Sequence, residues 1–234
     1  MAPADAREQQ HFRAAGRNSQ TTGNRRPPCT ESARIRRPPG APFESESTLM
    51  PRDSVRPVLF LDLDDTLCLN TPYGGVHAQH VVRVPDSAPS DFYECLFAPG
   101  AVAVMNTLLE EFQPSIVLTT SWLALLQREH FIEIFCRTGL RKVANALHAH
   151  WDAPGNRGTS RAEAIDAWLA RYHEEGQPIL ILDDVSSGES LIGSFHASCG
   201  RAVLCEVDQG LNDGHLSLAR RALRRPYAHS QPWL

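Results

Sequence analysis

The sequence is almost without lysine: Lys142 stands alone, whereas arginine is plentiful. It also lacks long apolar runs, and no stretch approaches the roughly 20 residues that a membrane-spanning helix needs. The N-terminal residues have no apolar core of the kind found in secretory signals. The formal net charge of -4 is mild, so the composition does not call for an anionic membrane or nucleic acid as a partner. We therefore expect a soluble, cytoplasmic protein without an evident obligate protein partner.

Cysteine pairs at metal-binding or redox spacing are absent too. The six cysteines form no CxxC pair, and no Cys-His run has the spacing of a zinc site. This scatter predicts reduced, mostly buried thiols. They are Cys29, Cys68, Cys95, Cys136, Cys199 and Cys205.

Residues 1–50 differ in composition from the rest of the chain. They are rich in Arg, Pro, Ser, Gln and Gly and repeat an Arg-Pro-Pro pattern at 26–28 and 37–39. Such a segment buries too little apolar area to offset its ordering entropy, so we expect a disordered tail. A basic arm, a targeting peptide and a translation start at Met50 are the alternatives. Residues 51–228 are expected to form one folded domain.

Within that domain, strands and helices alternate. Short, continuous apolar runs predict buried strands, and a 3.6-residue period predicts helices between them. Residues 70–99 are read as an irregular flap insert with a hairpin at Val81–Val84, too short for a separate cap domain. The fold class is therefore α/β, with a Rossmann-like parallel sheet and helices on both faces. The predicted strands are Val58–Leu61, Ser115–Thr120, Lys142–Leu147, Pro178–Asp183 and Ala202–Val207; the predicted helices are Ala101–Phe112, Trp122–Arg137, Ser160–His173 and Asp213–Leu223.

Acidic and hydroxyl side chains follow three of these strands. Asp62 and Asp64 end the first, and because residues two apart point to the same side, both can face one substrate. Thr120 and Ser121 end the second, where a hydroxyl can bind a phosphate oxygen without adding charge. Asp183 and Asp184 end the fourth, and paired carboxylates suit Mg²⁺, which takes oxygen ligands. For each group the alternative is helix or turn capping.

A basic residue precedes the fourth strand. Arg161 opens the predicted helix before it and could keep Asp62 ionised and neutralise phosphoryl oxygens. The alternative is a solvated surface arginine.

In this order, the four segments resemble the haloacid dehalogenase (HAD) superfamily over residues 57–210. The Thr-x-Trp turn at 120–122, the helix from Arg161 and Gly210-Leu211 are similar to the small HAD domains of bacterial and phage proteins, including those of RNA-repair enzymes. The resemblance implies a Mg²⁺-dependent phosphatase without a large cap domain.

The resemblance also implies roles for residues. Asp62 would be the nucleophile, and Asp64 the general acid and base. Thr120, with Ser121 as the fallback, and Arg161 would bind the phosphoryl group. Mg²⁺ would be held by Asp62, the backbone carbonyl of Asp64, Asp183 and Asp184. The family's basic residue is usually lysine, so Lys142 and Arg157 stay open as alternatives to Arg161.

Several alternatives remain on the sequence alone. The substrate is a phosphorylated small molecule or a nucleic-acid end, and a non-catalytic module that binds Mg²⁺ and phosphate is the contrasting function. His77 and His80 in the insert are candidate substrate contacts, and Trp122 is a candidate for lining the site. We expect His148 and His150 to be surface residues, and Trp151 and Trp168 to serve in packing.

Overall fold

A single sheet of five parallel strands forms the centre of the molecule in a computed structural model, which describes residues 55–153 and 158–228. The strand order β3-β2-β1-β4-β5 confirms the predicted Rossmann-like α/β fold. The strands are β1 (Val58–Leu61), β2 (Ser115–Leu118), β3 (Leu147–Asp152), β4 (Ile179–Asp184) and β5 (Ala202–Cys205). The helices are α1 (Gly75–Arg83), α2 (Phe92–Cys95), α3 (Pro99–Phe112), α4 (Arg128–Arg137), α5 (Arg141–Ala146), α6 (Arg161–Tyr172), α7 (Phe195–Ser198) and α8 (Leu216–Arg224).

Strand β1 is apolar throughout because it is covered on both faces. Leu59 and Leu61 join a large core cluster with residues of α1, α3, α4, α5 and α8. Val58 and Phe60 point the other way and pack with Trp168 and other residues of α6. A period of two along one strand therefore supplies both layers of the core.

The strand order reverses between β1 and β4. The chain runs from β1 outward to β2 and β3, then returns to the other side of β1 for β4 and β5. Leu61 lies level with Leu118 of β2 and Leu182 of β4. Ligands of open α/β sheets bind at such a reversal, beyond the carboxyl ends of the strands. The residues that follow Leu61 and Leu182 are Asp62 and Asp183.

The insert is helical, and the predicted hairpin at Val81–Val84 is wrong. Residues 75–83 form α1, whose buried Ala78 and Val81 are three positions apart and face the core. A 3₁₀ turn (Pro85–Ser87) and the short α2 follow. The segment is helical because helical spacing places one of its faces on the core.

Three further segments differ from prediction. Residues 142–146 belong to helix α5, and β3 begins only at Leu147, where polar residues of an edge strand hid the alternation. The helix predicted over 122–137 is divided into a 3₁₀ turn (Ser121–Ala124) and α4, which starts after Gln127. The last predicted helix likewise starts with a 3₁₀ turn (Asp213–His215) before α8. The other predicted elements differ by two residues or fewer at their ends.

The thiols are less buried than expected. Among the described cysteines only Cys68 and Cys205 are buried, Cys95 is exposed, and none of the five forms a disulfide. Burial raises the pKa of the Cys68 and Cys205 thiols to about 12, so both stay protonated. Cys29 and the predicted tail lie outside the described residues. No described helix has the length and hydropathy to span a membrane.

Candidate active site

Three carboxylates converge where the strand order reverses. Asp62 follows β1, and Asp183 and Asp184 end β4; each offers one oxygen, and these oxygens lie within 4.8 Å of one another. All three residues are at most 1% exposed. Backbone bonds of the sheet fix them, since the amide of Asp62 donates to Leu182 at 3.0 Å and Val185 closes the end of β4 by donating to Cys205 at 3.0 Å. The strands therefore impose the approach of three acidic groups.

One arginine joins the acids of the two strands. The Arg161 guanidinium lies 2.9 Å from Asp62 Oδ1 through Nη2 and 2.8 Å from Asp183 Oδ2 through Nε. Its side chain is 14% exposed, so the predicted alternative of a solvated surface arginine is wrong. The fork of a guanidinium suits contact with two carboxylates at once.

The start of α6 fixes where Arg161 lies. Ser160 caps the helix: its hydroxyl accepts from the amide of Glu163 at 3.3 Å, and the Glu163 carboxylate accepts from the amide of Ser160 at 2.7 Å. This reciprocal capping satisfies two amides of the first turn. Arg161, the first helical residue, is thereby held over the acids.

Of the other two cations considered for this place, Lys142 lies elsewhere. Lys142 forms an ion pair with Glu110, and both line a pocket with Arg56, which precedes β1 at the opposite edge of the sheet. Arg157 lies outside the described residues.

Burial dominates the electrostatics of the acidic cluster. It raises the pKa of Asp62 well above its usual range; Asp183, Asp64 and Asp184 raise it further, and Arg161 opposes them. Burial likewise raises the pKa of Asp183 to about 7, again against the lowering effect of Arg161. One guanidinium does not compensate for three buried carboxylates, so more positive charge is needed to keep them all ionised.

The free oxygens of the cluster fit a hard divalent cation. Within the described part of the chain, Asp62 Oδ2 and Asp184 Oδ2 are buried and have no hydrogen-bond partner, and Asp183 Oδ2 faces Arg161 without a directed hydrogen bond. Buried polar oxygens are normally paired. Three carboxylate oxygens at one point match the ligand preference of Mg²⁺.

Asp184 combines capping with a free oxygen. Its Oδ1 accepts from the amides of Ser186 at 2.7 Å and Ser187 at 2.9 Å, as the capping alternative predicted. The turn is so tight that only glycine fits at position 188. A Cβ there would lie 2.6 Å from the carbonyl oxygen of Asp184 and 3.2 Å from Asp183 Cβ. One oxygen thus orders the turn, while Oδ2 faces the cluster.

The Asp64 side chain lies apart from the three acids. Its Oδ2 accepts from the Ser121 hydroxyl at 2.8 Å, and its Oδ1 accepts from the indole Nε1–H of Trp122 at 2.9 Å. Trp122 is therefore a site residue for which the sequence offered only proximity to the hydroxyl turn as a signal.

Thr120 also caps the turn that follows it, as the capping alternative predicted. Its hydroxyl accepts from the amide of Trp122 at 3.3 Å at the start of the 3₁₀ turn, and the residue is 3% exposed. The hydroxyl retains its own proton, so it can still donate. Strand β2 places it at the same sheet edge as Asp62, since the amide of Thr119 donates to the carbonyl of Leu61 at 2.9 Å.

The match to a protein family covers this whole region. Residues 58–216 match the model of the HAD domain in Swiss Army Knife RNA repair proteins. The chain belongs to this family. Neither the comparison with curated proteins nor that with solved structures gives a match. The expected resemblance to the HAD superfamily is thus confirmed.

The remaining histidines considered in this HAD domain have structural contacts. In the insert, His77 Nδ1 accepts from the amide of Gly74 at 3.1 Å, and His80 pairs with Ser87 at 3.1 Å. On β3, the exposed His150 stacks on Tyr172 with ring centroids 3.9 Å apart, and His148 packs edge-on against Trp168.

Two of the three described tryptophans of the HAD domain pack on other aromatic rings, and the third contacts the site. Trp168 packs on Phe60 and Trp151 on Phe131, with centroids 5.2 Å and 5.6 Å apart. These contacts agree with the packing roles expected from the sequence. Trp122 alone of the three contacts a candidate catalytic residue.

Proposed function

We propose that this HAD domain is a Mg²⁺-dependent phosphohydrolase that acts on phosphomonoesters through an aspartyl-phosphate. The observation that carries the proposal is the convergence of Asp62 with Asp183, Asp184 and Arg161 where the strand order reverses. Phosphoryl transfer depends mainly on positioning and charge neutralisation, and this cluster offers both.

In the first step an oxygen of Asp62 attacks phosphorus, and the bond from phosphorus to the ester oxygen breaks. Asp64 gives its proton to the departing oxygen, which leaves as an alcohol. Arg161, and Thr120 through its hydroxyl proton, bind the phosphoryl oxygens, with Ser121 as the fallback hydroxyl. A carboxylate nucleophile divides a difficult hydrolysis into two easier steps.

In the second step the Asp64 carboxylate takes a proton from water, whose oxygen attacks phosphorus. The bond from phosphorus to Asp62 breaks, inorganic phosphate leaves, and Asp64 is again protonated. Mg²⁺, held by Asp62, the Asp64 carbonyl, Asp183 and Asp184, would supply positive charge that keeps the carboxylates ionised and neutralises the phosphoryl oxygens.

A nucleic-acid end is the second candidate substrate, favoured by the family match to RNA repair proteins. The described part of the chain carries only short helices over residues 75–95 in place of a large cap. An uncapped site admits an extended strand as well as a nucleotide. We infer the broad class, a phosphomonoester, from the site, and the nucleic-acid end from the family.

The contrasting function is a non-catalytic module that binds Mg²⁺ and a phosphorylated ligand. Asp64 argues against it, because a binding module needs no proton donor beside its anion site. Its carboxylate is held by two hydrogen bonds, and a fourth acid next to an anion would weaken binding unless it served the reaction.

Turnover of p-nitrophenyl phosphate with and without Mg²⁺ tests the proposal. We expect Mg²⁺-dependent release of phosphate by the native chain and none by Asp62→Asn, which keeps the side-chain shape but removes the nucleophile. Asp213→Asn, at an exposed aspartate before α8, is the matched control and should retain native activity.

Substrate class is tested next with single-stranded RNA and DNA carrying a 5′ or a 3′ phosphate, beside nucleoside monophosphates. A kcat/KM at least about tenfold higher for one oligonucleotide end would support end processing. Full activity in Asp62→Asn, or phosphate binding by the native chain without any turnover, would refute the phosphohydrolase.

A further inference from the structure

Both oxygens of the Asp64 carboxylate are held by donors from the turn after β2. Trp122 Nε1–H donates to Oδ1 at 2.9 Å, and the Ser121 hydroxyl donates to Oδ2 at 2.8 Å. An indole nitrogen can only donate, whereas a hydroxyl can donate or accept. Oδ1 must therefore remain an acceptor. A proton carried by Asp64 belongs on Oδ2, because the Ser121 hydroxyl can turn and accept a hydrogen bond from a protonated Oδ2.

The indole itself is immobilised from several sides. Trp122 is 1% exposed and stacks on Phe97, with centroids 6.2 Å apart. The backbone of Gly75, at the start of α1, closes against the ring, and a Cβ there would lie 2.6 Å from Nε1. A donor fixed in this way can orient Asp64, which is itself only partly buried.

Asp64 borders a pocket between α1 and the 3₁₀ turn. The pocket has a volume of about 340 Å³, and its other walls include Asn70, Val76 and Leu125. Val76 is 72% exposed, and among the described residues no lysine or arginine lines this space. Its chemistry suits an uncharged, partly apolar group such as a nucleoside better than a second phosphate.

We propose that Trp122 and Ser121 are positioning residues that hold Asp64 at the wall of this pocket, which receives the leaving group. The inference rests on the proposed phosphohydrolase and extends it to the residues that direct the proton. Asp62 attacks from the buried cluster, while Asp64, on the side of the pocket, protonates the departing oxygen from Oδ2. The leaving group of the preferred substrate is uncharged next to the ester oxygen.

Leaving-group dependence separates positioning from a structural role. Trp122→Phe keeps an aromatic ring but removes the indole N–H donor. The kcat is measured with an alkyl phosphate and with p-nitrophenyl phosphate. The alkyl substrate needs protonation and should lose roughly 10- to 100-fold in kcat, the range for a hydrogen bond to a charged group. The activated aryl substrate should lose several-fold less. KM should change little for either, because the lost contact serves the reaction and not ground-state binding.

Trp168→Phe is the matched control, because Trp168 is also buried and its Nε1–H donates to the carbonyl of His150 at 2.8 Å. It should leave the ratio of alkyl to aryl activity unchanged. Ser121→Ala should shift that ratio less than Trp122→Phe, because Oδ1 stays held, and Ser121→Thr should restore it by retaining the hydroxyl. Equal losses on both substrates in Trp122→Phe would overturn the positioning role.

The variant Asp64→Asn distinguishes a failure of the positioning role from a failure of the proposed phosphohydrolase mechanism. It should be almost inactive on the alkyl phosphate yet accumulate phosphoenzyme with the aryl phosphate, seen by intact mass. If Asp64→Asn fails to discriminate between leaving groups, the proposed acid is wrong and the positioning role falls with it. If Asp64→Asn discriminates and Trp122→Phe does not, only the positioning role is wrong.

The pocket is tested by placing a charge at its mouth. Val76→Glu should raise KM for nucleoside monophosphates at least about threefold more than for a methyl phosphate, which leaves the pocket empty. Val84→Glu adds the same charge at another exposed valine, just after α1, and should not change that ratio. Equal effects of the two variants, or an equal rise for both substrates in Val76→Glu, would overturn the assignment of the pocket.

Discussion

Protons and Mg²⁺ should compete for the acidic cluster, and the competition has a defined size. With the pKa of Asp183 at about 7, about ten molecules carry its proton for each that does not at pH 6, and the ratio reverses at pH 8. Mg²⁺ requires the ionised form of Asp183. The apparent Kd for Mg²⁺ should therefore be about tenfold higher at pH 6 than at pH 8, which corresponds to a loss of about 1.4 kcal/mol in binding free energy. Asp62, whose pKa is also raised, should make the dependence steeper.

The effect on stability without Mg²⁺ has the opposite sign. A carboxyl whose pKa is raised in the folded state binds more protons there than when unfolded. Its contribution to stability is complete below the unfolded pKa of about 4 and is lost as pH rises through about 7. The metal-free protein should therefore lose stability between about pH 4 and pH 7, and Mg²⁺ should restore it most at the upper end.

Calorimetric titration and thermal unfolding measure both effects. At saturating Mg²⁺ the increase in Tm should be about 3 to 6 °C larger at pH 8 than at pH 6 for a domain of this size. Titrations in buffers of different ionisation enthalpy should show proton release near pH 6. Asp183→Asn, which removes the titrating group, should bind Mg²⁺ weakly and with a flatter pH dependence. Equal Mg²⁺ affinity at pH 6 and pH 8 in the native chain would refute the reasoning.

Three further predictions concern the cation, the turn and the tail. Arg161→Met should lower kcat with p-nitrophenyl phosphate by about 100-fold or more, the cost of removing one preorganised donor, whereas Arg161→Lys should recover part of that loss; equal activity of the two would show that charge at this position is irrelevant. Gly188→Ala should lower Tm by a few degrees and weaken Mg²⁺ binding in titration, because its Cβ would lie 2.6 Å from the Asp184 carbonyl oxygen; Gly176→Ala, where nothing lies within 4 Å of the Cβ, is the control for the effect on Mg²⁺ binding. Removing residues 1–49 should leave Tm and phosphatase kinetics nearly unchanged, because that segment has almost no aliphatic run to bury; a loss of several kcal/mol would show that it packs on the domain.

The sheet was predictable where its strands are buried on both faces. The apolar run Val58–Leu61 is followed by Asp62, and the strand Ile179–Asp184 ends in two acids; this pattern has few other structural solutions. Strand β3 was predicted too early in the chain, because it lies at the edge, where polar residues are tolerated. The hairpin predicted in the insert was wrong because this segment buries Ala78 and Val81, which lie on one face of a helix.

The site could be predicted as a set of residues but not as an arrangement. The strand-end acids followed from topology, because parallel strands end at one edge. That Arg161 touches both Asp62 and Asp183 depends on how α6 lies against the sheet, which no spacing encodes. Trp122 donates to Asp64 from 58 positions further along the chain, and such a contact carries no local signal.

The charge count explains why an arginine suits the place where this superfamily usually has lysine. Three buried carboxylates carry three negative charges, and Arg161 with one divalent cation would supply three positive ones. An ammonium gives the same total but is a single point of charge, whereas the guanidinium contacts the acids of β1 and β4 through separate nitrogens. Arg161 thus joins two strand ends that otherwise repel each other. A lysine there would have to reach both carboxylates from one nitrogen, without the rigid fork of the guanidinium, which is why Arg161→Lys should bind Mg²⁺ yet position Asp62 less well.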